Sequence, residues 1–109
     1  MTAVKTNPTV TQYRDAADWL ATLADPTRIA IVKELAAGSK NVTELAKALN
    51  VEIVNVSHHL RVLRNGGVAR DEKKGRFFIY TLGPGVEVDG RTLLVNHAGS
   101  GLCLTIPLD

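Results

Sequence analysis

The chain has 109 residues with 13 Lys and Arg against 11 Asp and Glu, a net charge of +2, 45% hydrophobic residues and a single cysteine. That length supports one core and one domain, and the apolar share suits a globular chain rather than a disordered one. One cysteine excludes an intrachain disulfide, no apolar run approaches the ~20 residues of a membrane span, and the N-terminus lacks the apolar stretch of a secretory signal. The expectation is therefore a cytoplasmic protein with no membrane partner.

In chain order, Met1 to Pro8 reads as a flexible arm. A first helix is predicted from about Thr9 to Ala24, with Val10, Tyr13, Ala17, Leu20 and Leu23 on one apolar stripe and Trp19 beside it. Asp25-Pro26 reads as the start of a second helix, because a carboxylate caps free amides and proline suits the first helical position. That helix should run to about Ala37 and turn Ile29, Val32, Leu35 and Ala36 inward. A third, short helix is predicted over Val42–Leu49. Asn50 then supplies a left-handed turn and Val51 an apolar plug, before a fourth helix from Ile53 to Arg64. A short helix, a tight turn and a second helix give helix-turn-helix spacing.

The stretch from Val56 to Leu82 carries the most information. Val56, Leu60 and Leu63 recur at helical spacing, and Gly66-Gly67 ends the helix in a left-handed turn. The following residues alternate and turn through Lys73, Lys74 and Gly75, as a two-stranded wing would. Of Phe77, Phe78, Ile79 and Tyr80, two should cover the helices, and all four read as structural. From His58 to Arg76 there are six Lys and Arg against two acids, a local +4 that leaves −2 for the rest of the chain. A helix and a wing that share this cluster can hold duplex DNA.

With Val56, Leu60 and Leu63 inward, Asn55, Ser57, His58 and Arg61 are the candidates for base edges and phosphates. His59 lies nearer the inward face and suits a supporting role. On the wing, Arg76 is the strongest candidate phosphate contact, and Lys73 and Lys74 add sequence-independent affinity that weakens with salt. Glu52-Ile53-Val54-Asn55 opens the fourth helix: Glu52 is a poor neighbour for phosphate, and Ile53 and Val54 can contact thymine methyls or simply pack.

LADPTRIAIVKEL, VTELAKALNV, VSHHLRVLRNGGV and KKGRFFIYTL together resemble the ArsR/SmtB family of winged-helix repressors, over about Leu23 to Leu82. The resemblance implies a homodimeric DNA-binding repressor that releases a pseudo-palindromic operator when an inducer binds: a metal ion, a thiol-reactive compound or a small molecule. It also identifies His58-His59 with a recognition-helix feature rather than a metal chelate. Metal-sensing members carry a cysteine pair on the third helix or a site between C-terminal helices. Val42–Ala46 has no cysteine, which excludes the first, and the tail departs from the second.

After Leu82, Gly83-Pro84-Gly85 breaks the pattern. The remainder alternates, with turns at Asp89-Gly90 and Gly99-Ser100-Gly101 that suggest two or three short strands. The fold class expected is thus α+β: a winged helix-turn-helix domain over residues 9–82, with four helices and a β-hairpin wing, and a β-rich extension over 83–109 in place of a C-terminal helix. The first helix and this extension are the expected dimer interface. His97 and Cys103 are the tail's only soft or borderline metal ligands, with Asp89 or Asp109 as possible companions across a dimer, although zinc wants four ligands or three plus water. Cys103 suits a small buried apolar role equally well. A protein-interaction module is the alternative function, its tail strands adding to a partner's sheet edge. Enzymatic activity is not expected, because the chain has no glycine-rich phosphate loop and no nucleophile–base spacing.

Overall fold

A computed structural model describes residues 10–108, so the arm expected for Met1–Pro8 and the candidate Asp109 lie outside the described residues. Helix α1 covers Val10–Ala21, α2 Pro26–Ala36, α3 Val42–Leu49 and α4 Ile53–Asn65. Strand β1, Lys40–Asn41, separates α2 from α3, the wing is β2 (Ala69–Lys74) with β3 (Phe77–Leu82), and the tail holds β4 (Val86–Asp89), β5 (Thr92–Asn96) and β6 (Cys103–Pro107). Two antiparallel sheets result, with orders β1-β3-β2 and β4-β5-β6. The tail therefore has the three strands at the top of the expected range. None of the described helices is long and apolar enough to cross a membrane.

Local chemistry sets the helix boundaries. Asp25 caps α2 by accepting hydrogen bonds from the Thr27 and Arg28 amides at 2.8 and 3.1 Å. Asn41 and Glu44 form a reciprocal capping box at the start of α3, each side chain accepting from the other's amide at 2.8 and 2.9 Å. Asn50 adopts φ 55° and ψ 48° at the end of α3, and Val51 donates its amide to the Ala46 carbonyl at 3.0 Å. Val51 is half-buried against the core, so the turn and the plug both form as expected.

The glycine pair divides its labour. Only Gly67 is left-handed, at φ 78°, and the Val68 amide then reaches back to the Leu63 carbonyl at 2.9 Å. Gly66 keeps a right-handed φ of −85°. Its reason for being glycine is proximity, since a Cβ there would lie 2.5 Å from Thr22 Cγ2.

The core is continuous from the helices into the tail. Trp19, Leu23, Leu35, Leu60, Leu63 and Leu93 belong to one buried cluster, and among the described residues no polar residue is buried with them. Two expected stripes are corrected. On α1 the buried residues are Ala16 and Trp19, with Leu20 partly covered, while Val10 and Tyr13 are 75% and 55% exposed and Ala17 is also outside. The helix carries apolar residues on two sides, and the core takes the side with the tryptophan. On α2, Ile31 is buried and Ile29 is 37% exposed. Arg28, Ile31, Val32 and Leu35 form the inward i, i+3, i+4, i+7 row, which places an arginine at the core's edge. Helix α1 also ends at Ala21 rather than Ala24, and the chain continues to Asp25 through short-range turns.

Candidate nucleic-acid interface

Helix α4 has a closed face and an open one. Val56, Leu60 and Leu63 are fully buried. Asn55, His58 and Arg61 are exposed and Ser57 is half-buried, as their positions around the helix require. His58 sets its ring edge-on to His59, with centroids 5.4 Å apart. Unlike α2 and α3, α4 begins without a side-chain cap, because Glu52 makes no such bond.

His59 occupies a supporting position, in agreement with its inward placement. Arg28 Nη1 lies 3.0 Å from His59 Nδ1, and because a guanidinium only donates, the histidine nitrogen is the acceptor in this contact. The same guanidinium donates from Nε to the Thr22 carbonyl at 2.7 Å and from Nη2 to the Ala21 carbonyl at 3.1 Å. Arg28 therefore ties the end of α1, where carbonyls lack helical partners, to the middle of α4. Asp25 adds a carboxylate 3.8 Å from His59 Nδ1. Its acceptance of the Arg28 amide, against some desolvation and with help from His59 and the Thr27 amide, holds the Asp25 carboxyl below its ordinary pKa of 3.8. This network is absent from the sequence reading, although Arg28 stands on the inward row of α2, where an unpartnered charge would be costly.

The wing projects the basic residues. Its strands close through the two-residue loop Gly75-Arg76, with Lys74 opposite Phe77 and Gly75 at φ 63°. A glycine leading a two-residue loop matches the twist of the strands it joins. Lys73 and Lys74 stand on β2 rather than in the turn, which corrects the expectation for the hairpin tip. Arg76 is exposed at the tip.

Not all of the positive cluster faces solvent unpaired. Arg64 binds Asp71 at 3.3 Å and so joins the end of α4 to β2. Arg70 Nε donates to Thr81 Oγ1 at 3.3 Å, and Lys74 pairs with Glu72 at 3.5 Å. Among the described residues, Arg61, Lys73 and Arg76 have no ion-pair partner. Tyr80 packs against the core and Ile79 is half-covered, while Phe77 and Phe78 are 56% and 50% exposed because the wing extends beyond the helices beneath it. Burial and the nearby Asp71 carboxylate push the Tyr80 hydroxyl above its ordinary pKa.

The tail does not assemble a metal site from the expected candidates. His97 packs against Trp19 with its ring tilted by 42° and centroids 5.1 Å apart, and its Nδ1 accepts the Ser100 amide at 3.2 Å and lies 2.8 Å from the Ser100 hydroxyl. Cys103 is exposed at the start of β6 rather than buried. No group of three or more His, Cys, Asp or Glu side chains placed to hold a metal ion occurs among the described residues. The donor set does not fit a zinc-type centre, which needs at least three protein ligands.

Comparison with known proteins matches this arrangement. The model of the family described as bacterial regulatory protein, arsR family, matches residues 25–71. The transcriptional repressor SdpR of Bacillus subtilis is 32% identical over 79 residues, which cover 72% of this chain and 88% of SdpR. The HTH-type transcriptional regulator NmtR of Mycobacterium tuberculosis is 44% identical over 66 residues, covering 61% of this chain and 55% of NmtR, so the match spans about half the length of that relative. Both relatives bear the names of transcriptional regulators rather than enzymes. In three dimensions the chain resembles the homodimeric winged helix-turn-helix DNA-binding domain Mb0332 of Mycobacterium bovis, with a TM-score of 0.64 and 23% identity over 71% of each chain, a likeness that speaks to the α+β winged-helix fold. Helix-turn-helix geometry, a basic wing, the family-model match and a relative, SdpR, matched over most of its length together establish that the chain belongs to the ArsR family of bacterial regulatory proteins.

Proposed function

We propose that this protein is a homodimeric repressor that binds a pseudo-palindromic operator, each protomer laying α4 in a major groove and its wing along the flanking backbone. The observation that carries the reading is the division of α4: an inner face fully buried in the core, and an outer face that leaves Asn55, His58 and Arg61 exposed and Ser57 half-buried, with a wing tied to the end of α4 by Arg64–Asp71 and bearing exposed Lys73, Lys74 and Arg76. Such a unit combines base-edge readers with phosphate contacts that set position and affinity. Residues 10–82 form the DNA-binding unit. The open stripe of Val10, Tyr13 and Ala17 on α1 and the extension over residues 83–108 supply the dimer contact, because a stripe of this kind is uncovered in one protomer.

Release is assigned to an effector acting where the tail meets the reading unit. Asp18, Trp19, Thr22, Val62, Gly66 and His97 line an open cleft of about 450 Å³ that touches α1, the end of α4 and the tail together. A small molecule fits this location better than a metal ion, given the donor set of the tail. Titration of the protein–DNA complex with zinc, with hydrogen peroxide and with small-molecule fractions separates the three effector chemistries by which one frees the DNA.

The salt dependence of binding to a duplex tests the DNA reading. Arg61, Lys73 and Arg76 in each of two protomers give six phosphate contacts, for a slope of log K against log salt of about −5. Arg76→Ala removes two of them and should make the slope shallower by about 1.8, so that its defect shrinks roughly tenfold between 50 and 200 mM salt. Absence of binding at low salt, or parallel salt lines for wild type and Arg76→Ala, refutes the reading and favours a protein-interaction module.

A further inference from the structure

The start of α4 holds a feature that the basic residues do not explain. Val54 is 76% exposed and Ile53 51%. At ~100° per residue, Val54 lies about 160° around the helix from buried Val56, in one outward row with His58 and Arg61 at i, i+4 and i+7. Residues near the N-terminus of a recognition helix are those that reach base edges. A valine there can neither donate nor accept a hydrogen bond, and the only apolar group on the major-groove edge is the C5-methyl of thymine.

Resting on the DNA-binding reading above, we propose that Val54 reads a thymine methyl in each half-site, with Ile53 shielding the contact from water. The surroundings select this occupant. Val54 shares its row with Arg61, and the neighbouring wing presents unpaired Lys73 and Arg76. A second copy of the same surface would bring like charges together, whereas duplex DNA supplies phosphates for the cations and a methyl for the valine. The chain's preference is therefore for thymine at a fixed place in each half-site, set by van der Waals contact rather than by a hydrogen-bonding side chain.

The test begins with duplexes that the wild-type protein enriches from a randomised 24-base-pair library. Each thymine of an enriched duplex is then replaced by deoxyuridine, which removes the methyl and leaves base pairing intact. At one thymine per half-site, wild-type affinity should fall about fourfold, and about fifteenfold when both half-sites are changed. Val54→Ala should bind the thymine duplex more weakly and lose less than about twofold on the same replacement. Because Val54 lies outside the core, an unchanged thermal melt confirms that the variant is folded. Enriched duplexes in which no deoxyuridine matters, or in which it costs Val54→Ala as much as wild type, overturn the proposal while leaving the DNA reading intact. If no duplex is enriched and no salt-dependent binding is seen, the DNA reading fails and this inference fails with it.

Discussion

Replacing Arg28 by alanine tests whether α4 is held in place by a polar clamp as well as by its apolar face. The guanidinium makes three contacts, at 2.7 Å to the Thr22 carbonyl, 3.1 Å to the Ala21 carbonyl and 3.0 Å to His59 Nδ1. A hydrogen bond from a charged donor contributes about 1.5–3 kcal/mol when desolvated and about 1 kcal/mol near solvent. Arg28 is half-buried and the Nη2 contact is exposed, so the lower values apply and the total is about 2 to 3 kcal/mol. For a domain of this size that corresponds to a fall in Tm of roughly 10 to 20 °C. Urea unfolding of wild type, Arg28→Ala and Arg28→Lys gives the comparison. Lysine keeps the charge but has no planar fork to serve three acceptors, so it should recover less than half of the loss. A midpoint for Arg28→Ala within error of wild type, or full recovery by lysine, would refute the clamp.

Other expectations follow from particular contacts. Leu93→Ala, at a fully buried position in the tail, should cost about 3 kcal/mol and shift one cooperative transition; a separate early transition with the main midpoint unmoved would mean that the tail folds apart from the helices. Gly83→Ala should destabilise by about 2 kcal/mol or more, because its Cβ would lie within 2.0 Å of the Gly67 carbonyl oxygen, a backbone atom that cannot swing aside; a melt equal to wild type would show that the wing base yields. Asp25, with its carboxyl held below the ordinary value of 3.8, contributes stability that is complete above that unfolded value and is lost as pH falls through the lower folded one. The stability difference between wild type and Asp25→Asn should therefore be constant near neutral pH and shrink below about pH 4, and a difference independent of pH would disprove the linkage.

The elements that sequence alone made legible are those with strong local chemistry. Asp25-Pro26 and Asn50 mark helix ends through bonds within a few residues, and both form; the Asn41–Glu44 box is equally local but was not anticipated. The turns at Gly75 and Gly90 were visible for the same reason, since both glycines adopt positive φ. Strand β1 was not, because two residues have no period and exist as a strand only through pairing with Ile79 and Tyr80. The exposure of Val10, Tyr13 and Ala17, while Leu20 and Leu23 of the same predicted stripe pack inward, has a similar cause: with apolar residues on two sides of α1, only the position of the rest of the core decides which is buried. Phe77 and Phe78 read as structural because alternation reveals a strand but not where the surface beneath it ends. The candidate DNA-binding residues were readable from helical period and charge, whereas the Arg28–His59 link joins residues 31 apart and leaves no local trace.

The two faces of α4 carry separate consequences for how variants of this protein should be interpreted. Val56, Leu60 and Leu63 contribute to stability and have no access to a ligand, while Val54, His58 and Arg61 have access and little role in the core. Changes on the outer row should alter affinity or preference at constant stability, since exposed substitutions usually fall within about 0.5 kcal/mol. Arg28 and His59 lie between these classes, half-buried and in contact with both α1 and α4. A variant there can weaken DNA binding by tilting the helix without removing any DNA contact, and it should do so for all sequences alike. Loss of preference at one base pair points instead to the outer row. The pattern across sequences, measured beside stability, thus distinguishes a displaced reading helix from a missing reading residue.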